Sequence, residues 1–272
     1  MKIDCKNIVP LNPDCIHIVQ VTDPHVFASN GQHLKGIDTA MSLEQVNSMV
    51  NNDIERPDLI LATGDLAHDP SPAAYEKFRG IMETTNCPVF CLPGNHDRPA
   101  LMDNILNAGA ISTCKSVCCG EWEFLLLDSV MEGDEKGFLR DSELQFLRTR
   151  LLNNGAEHIV VCLHHHPVEI GSPWLDRMKV ANGDALLVLV REYPQIRCVI
   201  WGHIHQDYTS QFGQALLVGS PSTCIQFKPG TLEFEKDVLP PGYRKFRFHH
   251  DGRIDSSLHW LDTAMEHDNV IW

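Results

Sequence analysis

Five short motifs carry residue types that commonly bind metal ions. They are Asp-Pro-His at 23–25, Gly-Asp at 64–65, Gly-Asn-His-Asp at 94–97, His-His-His-Pro at 164–167 and Gly-His-Ile-His at 202–205. The candidate ligands are Asp23, His25, Asp65, Asn95, His165, His203 and His205. Two carboxylates, four imidazoles and one amide oxygen are too many donors for one ordinary metal ion. They suit a pair of first-row divalent ions that share one bridging carboxylate.

The spacing inside the motifs favours this chemistry. Gly64 lets the backbone turn tightly, so the carboxylate of Asp65 can approach two ions. Asn95 offers a neutral amide oxygen, which completes a coordination shell without adding negative charge. His203 and His205 face the same way if their segment is extended, and we expect each to reach a different ion.

The three consecutive histidines need sorting, because neighbours along an extended chain point in opposite directions. Spacing from Pro167 favours His165 as the ligand. His164 is then expected to face the sheet, and His166 either the rim of the pocket or the residues that surround the ligands. Taken singly, most Asp-x-His motifs occur in surface turns or satisfied hydrogen bonds, Gly-Asp is weaker still, and Gly-Asn-His-Asp is the strongest of the set. All five in this order, each after an apolar run, favour a metal-dependent site.

The apolar runs that precede the motifs are typical of buried β-strands. Strands are predicted at 16–21, 58–62, 88–92, 124–127, 159–163 and 198–201, and helical patterns lie between them at 39–53, 71–82, 141–152 and 183–192. Further strands are predicted at 216–218, 222–227, 244–249 and 256–261. This alternation predicts an α/β fold, in which ligands bind at the carboxyl ends of strands.

Length and charge narrow the classes of function. The chain has 272 residues and a formal net charge of −14. A single domain over residues 1–272 is the simplest prediction. The sequence has no basic stripe, so a nucleic-acid partner is not expected. Residues 1–5 lack the apolar stretch of a signal peptide, and no run reaches the roughly 18 apolar residues of a membrane span. A cytoplasmic protein without a membrane partner is therefore expected, and the oligomeric state stays open.

The ten cysteines are expected to be reduced. Those inside apolar runs, such as Cys91 and Cys162, would serve as small hydrophobic residues. Cys114, Cys118 and Cys119 form a cluster without a fitting fourth zinc ligand. Packing is the first interpretation of this cluster, and a reactive thiol is the alternative.

The order of the motifs resembles the calcineurin-like metallophosphoesterase superfamily. The pattern of that superfamily is Asp-x-His, Gly-Asp, Gly-Asn-His-(Asp/Glu), His and Gly-His-x-His. Segments 18–27, 62–67, 163–167 and 221–229 closely resemble the bacterial class III 3′,5′-cyclic AMP phosphodiesterases. The similarity runs over roughly residues 15 to 262 and includes every ligand position of the pattern.

The resemblance implies two β-sheets packed face to face with helices on the outer faces. It also implies a division of the ligands between two divalent ions. One ion would be held by Asp23, His25, Asp65 and His205, and the other by Asp65, Asn95, His165 and His203. Iron, manganese, zinc and cobalt all accept such mixed nitrogen and oxygen ligands.

The implied reaction is hydrolysis of 3′,5′-cyclic AMP to 5′-AMP, with attack by a hydroxide held between the ions. His96 would protonate the departing 3′-oxygen, and Asp97 would hold the His96 ring. Substrate contacts are expected from His25, Asp65, Asn95, His96, His165 and His205. Phe27 or Trp174 could stack on the base, and segment 221–229 could form a wall of the pocket.

Two alternative functions stay open at this point. The same ligand set could cleave another small phosphodiester, such as a glycerophosphodiester or a 2′,3′-cyclic nucleotide. A non-catalytic scaffold with this fold is a weaker alternative, because the ligand set is whole. A DNA nuclease would need a positive groove, which the charge of −14 opposes.

Overall fold

The computed structural model describes residues 5–153 and 155–262. Its helices are α1 (Thr39–Asn51), α2 (Pro72–Met82), α3 (Pro99–Leu106), α4 (Asp141–Leu152), α5 (Pro173–Asp176) and α6 (Gly183–Glu192). Its strands are β1 (Lys6–Ile8), β2 (Cys15–Val21), β3 (His33–Leu34), β4 (Ile37–Asp38), β5 (Leu59–Thr63), β6 (Val89–Leu92), β7 (Ile111–Ser112), β8 (Ser116–Cys119), β9 (Trp122–Leu126), β10 (His158–Cys162), β11 (Ile196–Trp201), β12 (Tyr208–Phe212), β13 (Ala215–Gly219), β14 (Gly242–His249) and β15 (Ile254–Trp260).

Two mixed sheets form the centre of the molecule. One has seven strands in the order β1-β8-β9-β10-β11-β13-β12, and the other has six in the order β15-β14-β2-β5-β6-β7. Strands β9, β10, β11 and β13 run parallel in the first sheet, and β2, β5, β6 and β7 run parallel in the second. Strands β3 and β4 form a separate hairpin.

Three apolar clusters explain the layering. The inner cluster joins the facing sides of the two sheets and includes Ile18, Leu61, Phe124 and Ile200. A second cluster packs α1, α2 and α3 against the six-stranded sheet, and a third packs α4 and α6 against the seven-stranded sheet. The strands are therefore covered on both faces, as their continuous apolar runs predicted. The α/β fold with face-to-face sheets and outer helices is confirmed.

Local sequence signals explain where helices begin. The Asp38 side chain accepts a hydrogen bond of 3.1 Å from the Met41 N–H at the start of α1. Ser71 caps α2 in the same way, and Pro72 stands in its first turn. Proline fits there because its missing N–H would have no helical partner.

The strand prediction for 222–227 is wrong. This segment is irregular, because its side chains take the hydrogen bonds that a strand ladder would provide. The Gln226 side-chain carbonyl accepts from the Ser222 N–H at 3.0 Å, and Ser222 Oγ donates to the Asp23 carbonyl at 2.8 Å. Such local bonds compete with regular structure, and here they fix the segment beside the first metal-binding motif.

The expectation that all cysteines are reduced is also wrong. Cys5 and Cys118 form a disulfide with a Cα–Cα distance of 6.5 Å, which ties the chain before β1 to its neighbour β8. Cys91 and Cys162 are buried and free, as predicted.

None of the helices in the described ranges has the length and apolar character that crossing a bilayer requires. Residues 1–4, which belong to the segment judged for a signal peptide, lie outside the described residues. The last ten residues of the predicted domain also lie outside them.

Candidate metal centre

The five motifs meet at one edge of the two sheets. Asp23, Asp65 and Asn95 follow the carboxyl ends of β2, β5 and β6. The histidines at 164–166 and the Gly-His-Ile-His motif follow β10 and β11 of the other sheet. Because parallel strands end at a common edge, residues far apart in sequence converge there.

The backbone at these residues is held in an unusual conformation. Asp23, His25, Asp65, His203 and His205 have φ angles between 46° and 65°. Residues other than glycine rarely adopt this left-handed region, and each instance costs free energy. Apart from Lys35, no other non-glycine residue in the described ranges has a positive φ. The strain is therefore concentrated on residues that could ligate a metal.

Glycines in the motifs make room for these side chains. A Cβ atom at Gly94 would overlap the Asp65 carboxylate, and one at Gly202 would lie 2.6 Å from an Asp23 carboxylate oxygen. Gly64 has a φ of 99° and lies against the His164 ring. The tight turn predicted before Asp65 is confirmed, and it also admits a histidine from the opposite sheet.

Asp23, His25 and His205 form the first group of ligand atoms, which lie within 4.8 Å of one another. The distance from His205 Nε2 to an Asp23 carboxylate oxygen is 3.2 Å. His25 Nε2 lies 3.6 Å from the Asp65 carboxylate. Burial lowers the pKa of His25 to about 3, so the ring is neutral, as metal ligation requires.

His164, His165 and His203 form a second group, and their ligand atoms also lie within 4.8 Å of one another. His203 thus points to a different group from His205. This placement agrees with the prediction that the two residues reach different ions, but the extended backbone assumed for it is wrong. The Ile204 N–H bonds to the Gly202 carbonyl at 2.7 Å, which bends the segment.

The expectation that His164 faces away from the site is wrong. Its Nε2 lies 3.5 Å from the Asp65 carboxylate and 3.1 Å from the Asn95 amide oxygen. Its Nδ1 bonds to the Thr63 carbonyl at 2.9 Å. Burial opposes charge on the ring, but the carboxylates of Asp65 and Asp23 outweigh it and raise the pKa of His164 to about 9. The ring therefore lies among the atoms that would bind the second ion.

His165 and His203 each present an unused nitrogen. Within the described residues, Nε2 of each ring is buried and has no hydrogen-bond partner. Burial is the main cause that lowers the pKa of both rings well below the usual value. Neutral, unpartnered ring nitrogens beside carboxylates fit divalent cations, because buried polar atoms normally have partners.

Several rings are oriented through their other nitrogen. Nδ1 of His205 bonds to the Ile225 carbonyl at 2.7 Å, just as that of His164 bonds to Thr63. A carbonyl only accepts, so Nδ1 of each ring carries a proton, and a divalent ion would take the place of any proton on Nε2. His165 Nδ1 pairs with the Ser129 hydroxyl at 2.8 Å. Sequence reasoning missed Ser129, although it follows β9 by only a few residues.

The geometry predicts different effects for two neighbouring histidines. His164→Ala should lose the second metal ion, because it removes the ring beside Asp65 and Asn95. His165→Ala should retain both ions with weaker affinity, because the His164 ring remains beside Asp65 and Asn95. Metal content of each purified variant, measured by inductively coupled plasma mass spectrometry, checks this. The reverse pattern would return the ligand role to His165, as the sequence predicted.

The predicted contact between Asp97 and the His96 ring is wrong. The Asp97 carboxylate instead accepts hydrogen bonds from the N–H groups of Gly94, Leu66 and Ala67 at 2.9, 3.0 and 3.2 Å. The Tyr75 hydroxyl donates a fourth bond of 3.0 Å. Burial, reinforced by the charge of Asp65, raises the pKa of Asp97 to about 6. Asp97 therefore fastens the Asp65 loop to the Asn95 turn.

Removing the Asp97 carboxylate should destabilise the edge of the sheets at which the metal-binding motifs meet. We expect Asp97→Ala to lower the free energy of unfolding by about 3 kcal/mol or more, because each orphaned buried donor costs about 1–3 kcal/mol. Urea unfolding of metal-free protein measures this without a contribution from the ions. The exposed Asp184, in the first turn of α6, provides the control variant Asp184→Ala. Equal stabilities of the two variants would contradict this role.

His96 lies at the mouth of the site and is partly exposed. Its N–H donates to the Asp65 carboxylate at 2.8 Å, and its ring meets the His25 ring edge-on with centroids 4.8 Å apart. The ring also stacks on His68, at 5.1 Å and 24°. Phe27, expected as a base-stacking residue, instead packs against His68 at 4.5 Å.

An open cleft leads to both ligand groups. Beside the histidines and Asp65 it is lined by an aromatic wall of Trp174, Phe227 and Phe234. Their ring centroids lie 5.2 to 5.7 Å apart, and Phe227 stacks on His205 at 3.9 Å. Trp174 and segment 221–229, through Phe227, therefore contribute to the wall, as expected. An apolar surface thus stands directly beside the charged centre.

Comparison with known proteins agrees with this geometry. The family profile described as calcineurin-like phosphoesterase matches residues 16–207, which include every proposed ligand. The chain belongs to this family. The family uses a dinuclear metal centre, and the resemblance inferred from the motifs is confirmed.

Its relatives include bacterial enzymes of similar length. The chain is 41% identical over 256 residues to "3',5'-cyclic adenosine monophosphate phosphodiesterase CpdA" of Pseudomonas aeruginosa, with 94% of each protein covered. It is 38% identical to the protein of the same name from Escherichia coli K12, again with 94% of each covered. Among solved structures, a dimetal phosphatase from Danio rerio matches with a TM-score of 0.60 at 14% identity. That match covers 89% of this chain and 98% of the other and supports the fold alone.

Proposed function

We propose that this protein hydrolyses 3′,5′-cyclic AMP to 5′-AMP at two divalent metal ions, and that residues 1–272 form one catalytic domain. The observation that carries the proposal is the convergence of both carboxylates and the ring nitrogens at one sheet edge. The 41% identity to a relative named for this activity supports the choice of substrate.

The proposed ligands fall into two sets that share Asp65. Asp23, His25 and His205 would complete the first set. Asn95, His164 and His203 would complete the second, with His164 in the place that the sequence had given to His165. When bound, two divalent ions would lower the pKa of a water and neutralise charge on the phosphoryl oxygens. The nitrogen and oxygen donors suit iron, manganese, zinc or cobalt.

The protein's own residues would then position the phosphodiester and move one proton. The Asn95 amide can donate to a phosphoryl oxygen on the open side of the centre. The His96 ring lies at the cleft mouth, where it can protonate the departing 3′-oxygen. Asp97 acts only through the backbone that carries Asp65 and Asn95. Direct substrate contacts were also expected from His25, Asp65, His165 and His205. Metal ligation would occupy Nε2 of His25 and His205, so these two rings would not be free to bind the substrate.

The aromatic wall offers a place for the base. Trp174, Phe227 and Phe234 present apolar rings beside the metal centre, and aromatic faces stack on nucleobases. A glycerophosphodiester with a small uncharged head group has nothing to stack on such a wall, whereas the trimethylammonium of glycerophosphocholine could pack against it by cation–π contact. The wall therefore favours a nucleotide over phosphodiesters without an aromatic or quaternary ammonium group, and the assay below separates the remaining candidates.

Turnover by metal-stripped protein tests the proposal. Protein dialysed against chelator would receive iron, manganese, zinc or cobalt singly, and 3′,5′-cyclic AMP, 2′,3′-cyclic AMP and glycerophosphocholine would be assayed side by side. We expect at least one metal to restore activity, with 3′,5′-cyclic AMP preferred by kcat/KM. Failure of every metal would reject the enzyme, and preference for another substrate would reject the cyclic AMP assignment.

A further inference from the structure

His68 stands beside a proposed metal ligand but belongs to none of the five motifs. Its Nδ1 lies 3.3 Å from Nδ1 of His25. Backbone hydrogen bonds fix the two residues side by side. The N–H groups of His25 and Val26 bond to the carbonyls of Asp65 and Leu66, and the His68 N–H bonds to Val26, each at 3.0 Å. The contact between the rings therefore follows from the local backbone.

A contact between two ring nitrogens needs one donor and one acceptor. If His25 presents Nε2 to a metal as a neutral ring, its only proton is on Nδ1. The lone pair must then belong to His68 Nδ1, whose own proton sits on Nε2. The arrangement matches His205 and His164, whose Nδ1 atoms pair with the carbonyls of Ile225 and Thr63. His25 differs because its partner is a side chain.

Packing on both sides holds the His68 ring in place. Phe27 lies against it with centroids 4.5 Å apart, and His96 stacks on it at 5.1 Å. The ring is partly buried. Since the ring is wedged between these neighbours, its nitrogen stays directed at His25. His68 therefore contacts both His25, the proposed metal ligand, and His96, the residue proposed to protonate the leaving oxygen.

We propose that His68 is a positioning residue that accepts the Nδ1 proton of His25 and so fixes the tautomer that presents Nε2 to the metal. The inference rests on the proposed function, because it requires His25 to be a ligand. Partners of this kind orient metal-bound histidines and raise their basicity. The expected role of His68 is therefore tighter binding of one of the two ions.

Three substitutions distinguish the effect of the hydrogen-bond acceptor from the effect of the aromatic ring. His68→Ala removes both, His68→Phe keeps a ring for stacking, and His68→Gln keeps an acceptor oxygen. The control is His250→Ala. His250 is exposed and follows β14, whose last residue pairs with Cys15 at the end of β2 far from Asp23. Thermal melting of the metal-free proteins checks that each variant is folded.

Mn²⁺ titration followed by electron paramagnetic resonance of the free ion gives the affinity of each site. We expect His68→Ala and His68→Phe to weaken one site by about 10–100-fold, the usual effect of losing such a partner. His68→Gln and His250→Ala should bind both ions as the wild type does. The second site should change little in every variant.

Other outcomes would overturn the inference. Unchanged affinity in all three His68 variants, equal weakening in all three, or rescue by Phe instead of Gln would exclude the acceptor role. Nitrogens of His25, His68 and His96 also lie within 4.8 Å of one another. A third Mn²⁺ that His68→Ala abolishes would therefore mean that His68 binds a cation directly.

Cyclic AMP turnover by the wild type, measured in parallel, separates the two proposals. An inactive wild type whose metal affinity still depends on His68 would reject only the proposed function. An active wild type with no such dependence would reject only the role of His68.

Discussion

Replacing Asp65 with Ala is expected to remove at least one of the two metal ions and to abolish turnover. Asp65 is buried, and its carboxylate faces His25 on one side and His164 on the other. Burial alone would raise the pKa of Asp65, but these rings hold it well below the usual value. The carboxylate is therefore ionised and placed between the two ligand groups.

The size of the effect follows from the charge that the ions would neutralise. Metal ions stabilise the transition state of phosphoryl transfer by several kcal/mol, so we expect kcat to fall by about 10³-fold or more. Metal content by mass spectrometry and cyclic AMP hydrolysis measure the two effects. Asp65→Asn keeps the shape without the charge, and Asp184→Ala controls for loss of a carboxylate elsewhere. Two ions retained in Asp65→Ala would disprove the shared-ligand assignment.

Replacing His96 with Ala should give the opposite pattern, with both ions retained and turnover reduced. The His96 ring is outside both proposed ligand sets, although it lies edge-on to the His25 ring with centroids 4.8 Å apart, and its backbone N–H donates to the Asp65 carboxylate. Loss of a general acid typically lowers kcat by about 10²–10⁴-fold. Metal content and steady-state kinetics of the variant measure both quantities. Loss of metal from His96→Ala would show that the role assigned to the ring is wrong.

A change of leaving group isolates the proton transfer. A p-nitrophenyl phosphodiester releases a stable anion that needs no protonation. The defect of His96→Ala should therefore shrink strongly on this substrate relative to 3′,5′-cyclic AMP. An equal defect on both substrates would indicate that His96 positions the phosphodiester instead of donating a proton.

Much of the fold could be predicted because its signals are local. Buried runs such as 58–62 and 159–163 correspond to β5 and β10, and the Ser71-Pro72 pair marks the start of α2. The second sheet was predicted only from the family resemblance, because the periodicity of a sequence does not show which strands pair. The short edge strand β1, over Lys6–Ile8, was missed because three exposed or half-buried residues carry no pattern.

Most of the proposed ligand set could also be predicted, because its members lie within a few residues of the ends of strands. The errors arose where the rule of alternating side chains was carried past a strand end. Strand β10 ends at Cys162, so the directions of His164 and His165 no longer alternate across a sheet. His203 and His205 adopt left-handed backbone angles that no extended segment would have.

The partners of the ligands could not be read from the sequence. Asp97 binds the N–H of Leu66, 31 residues away, and His68 meets His25 across 43 residues. Such contacts depend on how separate loops are folded together. Asp97 belongs to the Gly-Asn-His-Asp motif and His68 to none, and in both cases only the three-dimensional arrangement shows which groups they contact.

Anomalous X-ray diffraction from crystals of the manganese-loaded protein tests the twin-ion centre most directly. The predicted result is two peaks about 3.5–4 Å apart, with the Asp65 carboxylate between them and the rings of His25 and His164 on opposite sides. A single peak, or two peaks that do not share Asp65, would contradict the proposed centre.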